Sequence, residues 1–237
     1  MENSPEALDL YARVEDLLGV YEAAPRLYAH YLLALKSVAF DSLLDVGCGA
    51  GEFIAQISGA FPGVRMAGID LSPEMVRRAR LRGVEAACVD LCAVEGRYDV
   101  ITCVFDMLNY LAPEELPVFL SCLRERLNPG GYLLCDLNTL YGFEEVAVGI
   151  FTAEDESRFV TIESDFDAGV YCADFTLFER GKAGCWRRSA QRIRQYRHTP
   201  ERIARLGGLE ILEREEVSLY GEEADKVFLL LQRREPV

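Results

Sequence analysis

"LLDVGCGAGEF", residues 43–53, decides how the rest of the chain is read. An apolar run meets an acid, glycines alternate with small residues, and a helical pattern begins. This is a strand turning through a glycine loop into a helix, where backbone can lie close to a ligand. Two common ligands fit badly. The dinucleotide fingerprint G-x-G-x-x-G/A, counted from Gly47 through Gly49, meets Glu52 where a third small residue belongs, and a carboxylate at a helix N-terminus repels a pyrophosphate. A phosphate loop needs G-K-[ST] after its glycines, which this stretch lacks.

Outward from the loop, SLLDV (42–46), VRMAGID (64–70), VEAACVD (84–90), YDVITCVFD (98–106) and YLLCDLN (132–138) read as strands. Helical patterns at 52–61, 72–83 and 113–127 separate them, and NPGG (128–131) reads as a turn. Such alternation predicts a parallel sheet covered on both faces, with ligands bound at the carboxyl ends of its strands. Three successive strand ends carry Asp45, Asp70 and Asp90. A ligand with an adenosine, an amino acid part and a positive sulfur satisfies all three. Asp70 can accept from two ribose hydroxyls and Asp90 from an adenine amino group. Asp45 can brace the loop and favour positive charge, while Gly47 and Gly49 let backbone lie against the amino acid portion.

On these residues the chain resembles the class I S-adenosylmethionine (SAM)-dependent methyltransferases. LLDVGCGAG matches their first motif, GIDLSPEM the second, ACVDL the adenine-side acid, and LRERLNPGGYLLCDLN a later one; the likeness spans about residues 40–140. Small-molecule members of the superfamily are similar further on, through D-x-x-N-Y (Asp106, Asn109, Tyr110) and D-x-N-[ST]-x-Y (Asp136, Asn138, Thr139, Tyr141). The resemblance extends to methyltransferase-domain and sugar N-methyltransferase relatives that carry an antiparallel insertion. It implies a Rossmann-like α/β fold with a seven-stranded sheet in the order 3-2-1-4-5-7-6, the seventh strand antiparallel. It implies that Gly47 and Cys48 contact the methionine part by their backbone, that Leu71 and Met75 border ribose and adenine, that Leu91 flanks adenine, and that Val104 or Phe105 lies near the sulfur. Tyr11 and Tyr21, in the N-terminal helical region, are expected near the carboxylate or sulfonium end, where an aromatic face attracts a cation.

The chain reads as one methyltransferase domain over 1–237, with a helical cap over 1–40 and an antiparallel insertion over 146–197. In the cap, helices are expected over 4–18 and after Pro25. In the insertion, RFVTIESDF, VYCADFTLFER and CWRRSAQRIRQYR are strand-like, with turns at DAG (167–169) and GKAG (181–184). The acids of its first part and the arginines of its last strand (Arg187, Arg188, Arg192, Arg194, Arg197) suit cross-strand pairing. Arg194 and Tyr196 share a strand face and are candidates for the acceptor pocket. The other candidates near the transferred methyl are Asp106, Asn109, Asn138, Tyr141 and His198, and no base is assigned among them. His198 is expected on the surface before Pro200, and Asp99, opening a strand, is expected there too.

A net charge of −14 disfavours nucleic-acid and anionic-membrane partners. The acidic N-terminus lacks a signal-peptide pattern, so a cytoplasmic protein is expected. Eight cysteines without a C-x-x-C suit core thiols better than disulfides, and two distant histidines suit no metal site. The expected activity is methyl transfer to a small-molecule nitrogen or oxygen, with a homodimer through the insertion as a possible assembly. The alternatives are a non-catalytic SAM-binding module, which would release no S-adenosylhomocysteine (SAH), and a nicotinamide-dependent oxidoreductase, which Glu52 disfavours.

Overall fold

The computed structural model describes residues 3–181 and 184–234, with the Tyr21 side chain left out. Among the described residues eleven strands form two sheets. In the larger, β1 (Ser42–Val46), β2 (Arg65–Asp70), β3 (Ala86–Cys88), β4 (Tyr98–Cys103) and β5 (Leu127–Asn138) run parallel. Of the two last strands, β11 (Lys226–Arg233) pairs antiparallel with β5 and β10 (Leu209–Val217) pairs antiparallel with β11, so β11 alone runs against the rest, and the order is β10-β11-β5-β4-β1-β2-β3. This is the expected order with the insertion's four strands counted between. β1 is buried along its whole length and β11 along most of it, as strands covered on both faces must be.

Helices α3 (Glu52–Ile57), α4 (Pro73–Leu81), α5 (Leu116–Arg126) and α6 (Pro200–Gly207) join the strands. α4 starts as its sequence dictates: the Ser72 hydroxyl accepts from the Met75 N–H and Pro73 opens the first turn. The four residues NPGG do not end before β5 but lie within it, the strand bending at Gly130 with φ of 74°.

The cap differs from expectation. α1 (Pro5–Ala12) stops early, and α2 (Val20–Ser37) begins ahead of Pro25, which sits in its second turn. Leu27, Tyr31 and Leu35 of α2 are buried against the main sheet. α1 packs instead on the second sheet, where Ala7, Leu10 and Val14 meet Val160, Phe175, Leu177 and Ile193.

That second sheet is the insertion. It has four strands: β6 (Gly149–Glu154), β7 (Arg158–Asp167), β8 (Val170–Arg180) and β9 (Trp186–Tyr196), in sequential antiparallel order. The sequence predicted the last three. β6 is an edge strand whose side chains are almost all exposed, so it lacks the half-buried alternation that marks a strand. Part of the GKAG turn, residues 182 and 183, lies outside the described residues. Arg192 opposes Asp174 and Arg187 opposes Glu179 across β8 and β9, with ion pairs of 2.6 and 2.9 Å.

Two further expectations fail. Cys92 and Cys122 form a disulfide, their Cα atoms 5.0 Å apart, tying the turn after β3 to α5. Thirty residues separate them, so no local spacing marks the pair. His198 is buried, 3% exposed, because Thr199 and Pro200 start α6 against the core and carry it inward. Burial lowers its pKa, and Nε2 donates to the Leu111 carbonyl at 2.9 Å. Asp99 is half-buried and bonds the Ser42 amide, the Ser42 hydroxyl and Asn128. Among the described residues no helix is long and apolar enough to cross a membrane.

Candidate active site

A cavity of about 560 Å³ opens over the carboxyl ends of β1 to β4, beneath the cap. Its floor is the loop that opened the sequence. The Gly47 and Cys48 amides both donate to the Ile69 carbonyl, at 2.8 and 3.0 Å, lacing the loop to β2. Gly47 has φ of 73°, and a Cβ there would meet the Met107 side chain at 2.6 Å, so only glycine fits.

The three strand-end acids are placed differently. Asp70 accepts from the Gly49 amide (2.9 Å) and the Ser72 amide (2.8 Å), joining the loop to the start of α4. Burial raises its pKa against those two bonds. Asp90 is exposed and accepts from the Cys92 amide at 2.8 Å. Asp45 is 2% exposed under the loop and accepts from the Thr102 hydroxyl at 2.6 Å. Burial pushes its pKa up to about 7, with the Asp70 charge adding and Thr102 opposing. Glu52, which broke the dinucleotide pattern, pairs with Arg82 at 2.9 Å.

Tyr11, Asp45, Gly47, Cys48, Gly49, Asp70, Leu71, Met75, Asp90, Leu91, Val104 and Phe105 all line this cavity. Met75 also packs against Ala12 and Tyr11, so it joins the cofactor side to the cap. The side chain of Tyr21 lies outside the described residues. Glu15, Tyr28 and Met107 line the wall as well, and nothing local in the sequence singled them out.

The candidates for the chemistry behave otherwise. None of Asp106, Asn109, Asn138, Tyr141, Arg194, Tyr196 and His198 is among the residues that line the cavity. Phe105 and Asp106 both have positive φ, 55° and 49°, a strained pair for residues with side chains. Asp136 holds them there: its two oxygens accept from the Phe105 and Asp106 amides at 2.8 Å each, and Tyr31 donates to it at 2.7 Å. The Asp106 carboxylate takes Lys226 Nζ on one oxygen and Gln195 Nε2, at 2.5 Å, on the other. Lys226 also reaches Asn138 (2.9 Å) and Asp136 (3.4 Å). Burial alone would lower the Lys226 pKa, but Asp106 and Asp136 more than offset it and the ammonium is held charged above the ordinary lysine range.

Asn138 donates to Gln195 at 3.1 Å, and Asn109 accepts from the Asn138 amide and donates to the Tyr196 carbonyl. Asp106, Asn109 and Asn138 therefore form a latch between the main sheet and β9. Arg194 pairs with Cys172 and lies on the other face of β9 from Gln195, by strand alternation. Its amide donates to Asn3. Tyr141 packs over Gly221. Lys226 and Gln195 were missed because their partners come from distant strands; the one local hint is a lysine heading the apolar run VFLLL. Among the described residues no group of His, Cys, Asp and Glu is arranged to hold a metal ion.

Residues 43–131 match the family described as Methyltransferase domain. Among curated proteins the chain is similar to a ubiquinone biosynthesis O-methyltransferase of Xanthomonas oryzae pv. oryzae, 37% identical over 120 residues, covering 46% of this chain and 47% of that one. A putative methyltransferase of Geobacillus sp. is 33% identical over 124 residues, covering 48% and 49%. The chain spans about half the length of the curated relatives it matches. Among solved structures it is similar to the sugar N-methyltransferase KedS8 from Streptoalloteichus sp., with a TM-score of 0.71 and 23% identity over 96% of this chain and 93% of that one. SAM-bound CalS10, an amino pentose methyltransferase from Micromonospora echinaspora, gives a TM-score of 0.67 and 25% identity over 90% and 96%. The chain thus has the class I SAM-dependent methyltransferase fold and carries the methyltransferase domain over residues 43–131.

Proposed function

We propose that the protein is a SAM-dependent methyltransferase acting on a nitrogen or oxygen of a small molecule. The observation that carries this reading is the cavity wall: a glycine loop laced to β2, with Asp70 and Asp90 at successive strand ends. The residues fit the cofactor. Asp70 and Asp90 keep acceptor capacity beyond their backbone bonds, since each carboxylate has about four lone-pair sites. Gly47 leaves room for backbone contact, and the acids suit a ligand with positive sulfur. When bound, SAM supplies an electrophilic methyl; the chain's task is to orient the acceptor in line with it and keep water out. α1 covers the cavity through Leu8 and Tyr11 and packs its other residues on the insertion behind it.

The same proposal places the enzyme in the cytoplasm. It makes the β6 edge, with exposed Ile150 and Phe151, the surface through which two copies would pair. Calorimetric titration with SAM tests the central part. Saturable binding below millimolar concentration is expected, with none for NADH. A flat SAM titration sinks the proposal, and binding with no SAH release from any acceptor would leave only a binding module.

A further inference from the structure

We infer, on the reading just given, that the acceptor is an amine that binds as its ammonium ion, and not a hydroxyl compound or an anion. Chains similar to this one carry names for both O- and N-methylation, so the choice rests on this cavity. Among the described residues no Lys, Arg or His lines it; every charged side chain in its wall is a carboxylate, among them Glu15, Asp90 and Glu115. An anionic acceptor would meet only like charge there, with no guanidinium or ammonium to receive it.

The cations near the wall already have partners: Arg78 faces Glu15, Arg82 pairs with Glu52, and Lys226 is held by Asp106, Asn138 and Asp136. Around the acceptor end stand phenols: Tyr11, Tyr28 and Tyr110 line the wall. Such ring faces attract an ammonium ion. Burial raises the pKa of Tyr11 and Tyr110, so both remain neutral donors.

A hydroxyl acceptor needs a general base in the transition state, and a neutral amine does not. The groups that could supply one are committed. Asp106 has a donor on each oxygen. His198 is buried behind Leu111, bonded to its carbonyl, and does not itself line the wall. Asp45 lies under the glycine loop, bonded to Thr102. Glu15 shares its charge with Arg78 at 3.6 Å. The ammonium first gives a proton to water. The nitrogen lone pair then bonds the methyl carbon, the S–C pair stays on sulfur as a neutral thioether, and the new N-methylammonium carries the positive charge away.

The test begins with calorimetry using SAH, which separates failure of the cofactor reading from failure of this one. With binding established, labelled methyl transfer from SAM is measured against pools of primary and secondary amines (aliphatic and amino-sugar), their hydroxyl counterparts, and carboxylates. Transfer to amines alone is expected, and those amines should bind the SAH complex in calorimetry where the matched alcohols do not. For two active amines of different basicity, the rising limb of kcat/KM against pH should move with the pKa of the amine. Glu15→Gln removes a wall charge that Arg78 already shares and should raise amine KM about threefold, with SAH affinity unchanged. Transfer to hydroxyls, transfer to no amine despite SAH binding, or a pH limb fixed across acceptors would overturn the inference.

Discussion

The two halves of the cavity are built by different means. The half proposed for adenosine uses backbone and strand ends: Gly47, Gly49, Asp70 and Asp90 lie within 44 residues of chain and are tied by main-chain hydrogen bonds. The half proposed for the acceptor is held from behind by side chains from distant segments: Asp106 after β4, Asn138 ending β5, Gln195 in β9 and Lys226 opening β11. The first half keeps its polar groups open to a ligand, whereas the second directs its own inward. Polar residues after β4 and β5 thus serve to position the wall, and on the proposed reading contact with the acceptor falls to the phenols and acids of the cap.

The sharpest way to break this contrast is Lys226→Met. It leaves Asp106 and Asp136 buried without their cation, a change that costs about 3–5 kcal/mol. Urea unfolding should show that loss, and Lys226→Met with Asp106→Asn should recover part of it. An unchanged midpoint in the single variant would mean the latch holds nothing.

Asp45 gives the adenosine half its own signature. Its folded pKa of about 7 lies above the unfolded carboxylate value, so the folded state keeps a proton that the unfolded state has released. Its contribution to stability is therefore present at low pH and falls away as pH rises through about 4 to 7, by up to about 4 kcal/mol. Relative to wild type, Asp45→Asn should gain stability across that window in the ligand-free protein. Denaturation at pH 5 and pH 8 checks it, and a constant difference between the two proteins would contradict the assignment.

Asp70→Ala should weaken SAM binding about 100-fold, since a charged acceptor bonded to neutral donors is worth ~1.5–3 kcal/mol. Calorimetry reads this directly, and wild-type affinity would remove Asp70 from the site. The smallest effect belongs to the outer face of the insertion. Arg192→Ala breaks the exposed pair with Asp174 and should cost only ~0.2–1 kcal/mol in thermal or urea unfolding. A larger loss would show that this sheet depends on its surface pairs.

The same contrast governs what could be read from sequence. β1 and β2 were legible almost to the residue, because apolar runs ending in acids are one-dimensional signals. The acids and glycines that line the cavity beside them follow the same chain order, so their place in the fold was legible with them. Lys226 was not, since its role depends on β11 returning antiparallel so that it pairs with Asn138. Gln195 was passed over for its neighbours Arg194 and Tyr196, because alternation groups residues by face without saying which face turns inward. The Cys92–Cys122 bond needed the packing of α5 beside β3 to be known. β6 was hidden by its own exposure, with Ile150 79% exposed on an edge.

The position of the cofactor decides most, and a crystal structure with SAH would test it directly. Adenosine is expected between Asp70 and Asp90, with the sulfur beside Val104 and Phe105 and facing Tyr11 and Tyr110. SAH bound elsewhere, or bound here with neither acid in contact, would contradict that placement.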